Sequence, residues 1–450
     1  MSRPGNRLQG ILTAIVVGIV AIGAVVWFIR GPSPLAFADG STVALADYQD
    51  ANPTGVPAAL AQADQVTRGE YLARAADCTA CHTAPGGKPL AGGFGFQLPF
   101  GTLYSTNITS DKDTGIGNYT DAEFIAAVRQ GIRRDGARLY PAMPYTSYSY
   151  LSDADVLAIK AYLFNRPAVH APAPANSLSF PFDQRWAMIG WDMLFNRDTR
   201  FAPNTAQSPQ WNRGAYLVEA LAHCGECHTP RNVAFALDGR NKFAGAVTAG
   251  WRAFNITSDQ ATGIGSWTDA DLVAYLAAGH ATGHGTASGP MGEAVDNSFR
   301  YLVPDDINAV ITYLRSVPAI ASPNQPATPA PVAPASHRDG VMADARGKVV
   351  FEGACVSCHG WSGESAVSPL ATLTGSAAVS DPSAVNVAQI VISGTRRSTP
   401  DGALSMPAFG NAYSDTEIAA LVNYVTGRFG RSASRITPQE VAELRKQGSN

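Results

Sequence analysis

Every cysteine in this 450-residue chain belongs to one pattern, Cys-x-x-Cys-His, which occurs three times: Cys78, Cys81 and His82; Cys224, Cys227 and His228; Cys355, Cys358 and His359. Two thiols at that spacing can add across the two vinyl groups of one haem, and the imidazole that follows is placed to reach the iron as proximal ligand. A zinc knuckle would need a fourth ligand and its own paired spacing. A redox dithiol would not carry His directly after the second Cys in all three cases. The pattern therefore predicts three covalently bound haem c groups and leaves no cysteine for a disulfide.

The register of two further motifs supplies candidates for the sixth iron ligand. Met143 lies 36 residues after Asn107, and Met291 lies 36 residues after Asn255, so the two methionines are expected at one structural position. Met406, in Leu404-Ser405-Met406-Pro407, has similar neighbours in the third repeat. A thioether is a soft, neutral donor that raises a haem's reduction potential, and Pro or Gly beside it is expected to hold the ligand loop open and extended. A lone methionine is more often core filler, but recurrence at one place argues against that here. His280 and His284 compete with Met291 for the second iron.

Three kinds of segment must position these side chains. Arg68-Gly69-Glu70-Tyr71-Leu72, Arg213-Gly214-Ala215-Tyr216-Leu217 and Arg346-Gly347-Lys348-Val349-Val350 each lead as a helix into a haem motif. That internal repeat says one domain type was used three times. The first two repeats also share a loop, Asn107-Ile108-Thr109-Ser110-Asp111 and Asn255-Ile256-Thr257-Ser258-Asp259. Asn-x-Thr could be read as a glycosylation acceptor, but its recurrence at one register makes it a structural loop, with Asn and Thr bonding backbone or a haem propionate. Thr120-Asp121 and Thr268-Asp269 are expected to cap the helices that follow. Each repeat closes with an acid and a Tyr seven residues on, Asp155 with Tyr162, Asp306 with Tyr313 and Glu417 with Tyr424, on a helix laid across the leading one. The tyrosines are expected to pack rather than to relay charge.

Charged residues make up 15% of the chain, with 43 Gly and 30 Pro and a net charge of −3. This suits loop-rich folds around an apolar cofactor and sets nucleic acid aside as a partner. Residues 11–29 form an apolar run long enough to span a bilayer, with Arg3 and Arg7 before it and Arg30 after it. The run predicts an uncleaved N-terminal anchor, with the bulk of the chain on the periplasmic side of the inner membrane. A signal peptide cleaved near Ala36-Phe37-Ala38 is the alternative. The expected organisation is an anchor over 1–30, cytochrome c domains over 62–166, 205–317 and 341–430, a linker with an apolar segment over 167–204, a Pro-rich linker over 318–340 that sets the third domain apart, and a tail over 431–450 with a short exposed helix begun by the capping box Thr437-Pro438-Gln439-Glu440. Around Trp186, Ile189 and Met193 the apolar segment either buries one side against its own domains or docks another subunit.

With the Arg-Gly-x-Tyr-Leu lead, the Asn-Ile-Thr-x-Asp loop, Tyr140-Pro-Ala-Met-Pro-Tyr145 and His223-Cys224-Gly-Glu-Cys-His-Thr-Pro-Arg231, the chain resembles the three-haem cytochrome c subunits of membrane-bound bacterial dehydrogenases. The resemblance implies a mainly α chain: three tandem class I cytochrome c-like domains after one N-terminal transmembrane helix. It also implies a partner subunit that oxidises an alcohol, aldehyde or sugar acid, and ubiquinone as the acceptor. Residues 284–302 look most like partners of molybdopterin-dependent aldehyde dehydrogenases, which brings in a small iron–sulfur or accessory subunit. Pyrroloquinoline-quinone alcohol dehydrogenases and flavin sugar or gluconate dehydrogenases come second. A multi-haem peroxidase would need an open iron site, and a terminal-oxidase subunit would more often carry two motifs than three. No nucleotide-binding glycine pattern, Ser-His-Asp arrangement or catalytic carboxylate pair is visible, so substrate chemistry is expected elsewhere.

Overall fold

The computed structural model describes residues 5–39, 42–44, 52–322, 345–399 and 402–447. Helices dominate, and three times a leading helix crosses a closing one: Gln65–Ala75 with Asp153–Phe164, Pro209–Tyr216 with Pro304–Ser316, and Ala345–Ala354 with Asp415–Phe429. Each crossing is made at the glycine of the Arg-Gly lead. A Cβ on Gly69, Gly214 or Gly347 would fall 1.8, 1.9 or 2.1 Å from the carbonyl oxygen of Ala158, Ala309 or Ala420. Only glycine permits that approach. The tyrosine of the acid-Tyr pattern sits at the same crossing, with the Cβ atoms of Tyr162, Tyr313 and Tyr424 at 3.0, 2.8 and 2.9 Å from those built positions, so the tyrosines pack as expected.

Capping residues set the helix starts. Thr120 with Glu123 begins Asp121–Gln130, Thr268 with Asp271 begins Asp269–Ala278, and Ser414 with Glu417 begins Asp415–Phe429. Each is a reciprocal capping box that satisfies two helix N–H groups.

The first and second units share one hydrophobic core, and a reciprocal contact joins them. Tyr71, from the first leading helix, donates its hydroxyl to Asp306 of the second closing helix at 2.6 Å and accepts the backbone N–H of Val303 at 3.2 Å. Tyr216, from the second leading helix, donates to Asp155 of the first closing helix at 2.7 Å and accepts the N–H of Ser152 at 3.2 Å. Arg213 grips Asp306 with two bonds of 2.8 and 2.7 Å, while Arg68 reaches Asp155 at 3.5 Å. Each unit thus presents the same tyrosine to the same acid of its neighbour, the arrangement that a pseudo-twofold relation produces.

The third unit has a core of its own, and the C-terminal helix Pro438–Gln447 belongs to it. That helix starts at the expected capping box, with Thr437 and Glu440 bonded reciprocally. It is not the exposed appendage the tail suggested: Val441 and Leu444 are buried and Arg445 pairs with Asp415 at 2.8 Å. Nor does the third unit stand apart. Arg397 inserts beneath the second unit, pairing with Asp296 at 3.0 Å and donating to Ala287 O at 2.7 Å, and Asn386 exchanges two bonds with the backbone of Arg252. Most of the Pro-rich stretch lies outside the described residues; residues 317–322 fold back onto the second unit.

The N-terminal helix runs Gly5–Arg30, and its part from Ile11 is apolar and unburied, a candidate membrane span. The chain just beyond it enters the fold: Leu35 is in the shared core, Phe37 meets Tyr313 with ring centroids 6.0 Å apart, and Lys242 donates to Pro34 O.

Candidate haem centres

The three Cys-x-x-Cys-His motifs form short helical turns, Cys78–His82, Gly225–His228 and Val356–His359, each just after a leading helix. In every motif the histidine Nδ1 meets a backbone carbonyl oxygen: His82 with Thr106 at 2.7 Å, His228 with Phe254 at 2.6 Å and His359 with Ala371 at 2.6 Å. A carbonyl only accepts, so Nδ1 must carry the proton and Nε2 keeps its lone pair. Burial also lowers the pKa of all three rings, disfavouring their protonated form. A neutral imidazole fixed through Nδ1 is the form in which histidine serves as a metal ligand.

No disulfide joins any of the six cysteines, and within each motif both are left for one cofactor. Among the described residues no group of three or more His, Cys, Asp or Glu side chains is placed to hold a bare metal ion. The donor set, two thiols and one Nε2 per motif, fits covalent haem c, which supplies a one-electron couple when bound.

A common framework surrounds the first two motifs. Gly92 N–H donates to His82 O and Gly245 N–H to His228 O, each at 2.8 Å, and Thr83 and Thr229 accept the N–H groups of Leu90 and Phe243. Asn107 and Asn255 are buried clamps. Asn107 donates to Thr114 Oγ1 and to Val169 O, and Asn255 donates to Thr262 Oγ1 and to Ile320 O. Both amide hydrogens are spent inside the protein, so neither side chain is a propionate donor or a glycosylation acceptor. The clamps also explain why the segments after the closing helices, expected as linkers, lie along these loops.

The methionines occupy three backbone settings. Met143 sits in a turn closed by its N–H to Tyr140 O, Met291 in the first turn of the helix Gly289–Asn297, and Met406 at the end of the strand Gly402–Met406. All three are partly buried, Met143 and Met291 against the shared core and Met406 against that of the third unit. The extended loop expected around Met291 is replaced by a helix because Pro290, with its φ already helical, starts one. His284 is otherwise engaged, stacked on Trp267 at 3.8 Å with its Nε2 3.6 Å from Asp271. His280 bonds Thr286 Oγ1 through Nδ1 at 2.9 Å.

Two links between motifs had escaped sequence reasoning. His223, directly before Cys224, lies edge-on to Tyr148 at 5.5 Å, and Tyr148 donates to Ala76 O at 3.1 Å, two residues before Cys78. Thr286 of the second unit donates to Leu370 O, the neighbour of the Ala371 that holds His359. The first motif thus abuts the second, and the second unit touches the loop that fixes the third proximal histidine.

The cytochrome c family profile matches residues 66–166 and 345–428. The chain is 39% identical over 419 residues to the fructose dehydrogenase cytochrome subunit of Gluconobacter japonicus, covering 88% of this chain and 86% of that protein. It is 39% identical over 406 residues to the gluconate 2-dehydrogenase cytochrome c subunit of Pantoea cypripedii, covering 85% and 89%. It is 35% identical over 398 residues to the cytochrome c subunit of the alcohol dehydrogenase (quinone) of Gluconacetobacter polyoxogenes, covering 85% of each.

Proposed function

Since the chain belongs to the cytochrome c subunits of dehydrogenase complexes, we propose that it carries electrons through three haems, one in each of three tandem cytochrome c domains, from a periplasmic oxidising subunit to membrane ubiquinone. The observation that carries this reading is the Nδ1-to-carbonyl bond made by His82, His228 and His359, which leaves the same iron-binding nitrogen free three times. Met143, Met291 and Met406 complete the iron coordination. Irons held by two protein ligands each reorganise little on reduction, which suits a relay rather than a peroxidase. The helix Gly5–Arg30 anchors the subunit uncleaved: a cut after Ala38 would remove Leu35 and Phe37 from the core and the Pro34 carbonyl from Lys242.

The oxidising subunit acts on a sugar, sugar acid or alcohol, in keeping with the names of the fructose, gluconate and alcohol dehydrogenase relatives. A molybdopterin-dependent aldehyde dehydrogenase is the second reading, suggested by residues 284–302. It has the weaker support, because His284 and Pro290 in that stretch serve the fold, one stacked on Trp267 and the other starting a helix. Purification of the complex from detergent-solubilised membranes, followed by identification of the partner's cofactor, separates the two. Flavin or pyrroloquinoline quinone is the expected result, and molybdenum would overturn it.

The ligand assignment has its own test. Met291→His should keep the iron six-coordinate while lowering that haem's potential, because imidazole donates more strongly than a thioether. An unchanged potential and an unchanged near-infrared sulfur-to-iron band would reduce Met291 to packing and reopen the case for a catalytic second haem.

A further inference from the structure

The helix Met188–Phe195 is apolar apart from one acid, and that acid is not what faces the water. Its one acid, Asp192, is turned inward and only 7% exposed, accepting the Tyr145 hydroxyl at 2.7 Å and facing Arg138 at 3.2 Å. Trp191 is also held inside, its Nε1 donating to Ala234 O at 2.8 Å. What points outward is Met193, 78% exposed, with Ile189, Leu194 and, in the preceding turn, Trp186 at 71%. The patch continues sideways. Phe182 stacks on Phe100 at 4.1 Å, Phe235 meets both rings edge-on, and Phe180 and Val233 are exposed beside them.

Its position in the fold identifies what covers it. The loop that carries Val233 and Phe235 also grips the C-terminal end of the candidate span: Asn232 donates to Ile29 O at 3.0 Å, and Arg240 donates to Phe28 O with its guanidinium 4.3 Å from the centre of that ring. Arg197, just past the apolar helix, donates to Gly31 O at 3.3 Å. The end of a membrane span marks the boundary between hydrocarbon and headgroups, and the patch is tied to that end. Trp, Phe and Met on the outer face of a short helix are what an in-plane interfacial helix presents to a bilayer.

We infer that residues 180–195, with Val233 and Phe235, form a second membrane contact that lies in the headgroup layer and seats the first two units on the bilayer surface. The inference rests on the reading of Gly5–Arg30 as an anchor and adds to it a fixed orientation: a single span lets the soluble part swivel, whereas a span plus an adjoining in-plane helix holds one face of the paired units against the lipid. A protein occupant would have to share the headgroup layer with the end of the span.

The test uses the full chain in its complex, in vesicles of phosphatidylethanolamine and phosphatidylglycerol containing a lipid-soluble carbene photolabel, with aqueous hydroxyl-radical footprinting in parallel. Tryptic peptides 186–197 and 232–240 should take the carbene together with peptide 8–30 and be protected from hydroxyl radicals. Carbene on 8–30 alone, with the other two open to hydroxyl radicals, would overturn the inference and leave the anchor standing. Protection of 186–197 and 232–240 from both reagents would mean that a subunit covers the patch, which also overturns it. Carbene on the patch without 8–30 would sink the anchor and keep the surface contact. The double substitution Trp186→Asp with Met193→Asp, at side chains too exposed to be needed for folding, should cut the labelling of 186–197 several-fold and leave 8–30 unchanged; labelling that survives it would contradict a lipid contact at this helix.

Discussion

The first two units and the third are built on one plan but held in place by different means. In the first two, the residue two places after the crossing glycine is a tyrosine, Tyr71 or Tyr216, and each reaches into the other unit to bond a buried acid. In the third that position is Val349, 68% exposed, and Glu417, which takes the place of the acid, is spent on capping its own helix. The third unit is instead fastened at its rim, by Arg397 on Asp296 and by Asp381 3.4 Å from Arg252. A leading helix can therefore serve two purposes: the glycine face closes its own unit, and a tyrosine two places on ties that unit to a neighbour.

Substitutions can break that contrast in order of size. Asp306→Ala strips both Arg213 and Tyr71 of a buried partner and should cost about 3–5 kcal/mol. Calorimetry of the haem-loaded protein should show the transition of the first two units falling while that of the third stays put; an equal fall in both would mean that the two cores unfold as one. Tyr216→Phe removes a hydrogen bond to a buried carboxylate and should cost about 1.5–3 kcal/mol, again in the paired units alone, whereas Val349→Tyr in the third unit should change little. Gly214→Ala and Gly347→Ala sharpen the comparison from the other side, because the crossing is common to all three units. Each should cost about 1–3 kcal/mol through overpacking, and a neutral Gly347→Ala would show that the third crossing is looser than its geometry.

What could be read from sequence was what is local. The haem motifs, the capping boxes and the closing helices each lie within a few turns of chain, where spacing and periodicity report directly. The reciprocal lock was not legible, because Tyr71 and Asp306 are 235 residues apart and pair only once two units have docked. The same reason hid Tyr148 beneath His223, and Val169 as the partner of Asn107. Two further expectations failed for reasons that composition does not show. The C-terminal helix is polar in sequence, yet Val441 and Leu444 suffice to bury one side, and Pro290 reads equally well as keeping a loop open or as starting the helix that carries Met291.

The central claim, a relay of three covalently held haems, is tested most directly by the ratio of haem to chain in denatured protein, measured as pyridine haemochromes against quantitative amino-acid analysis. The account predicts three haems that stay attached after denaturation, one for each of the pairs Cys78 and Cys81, Cys224 and Cys227, and Cys355 and Cys358. A ratio of two would contradict it.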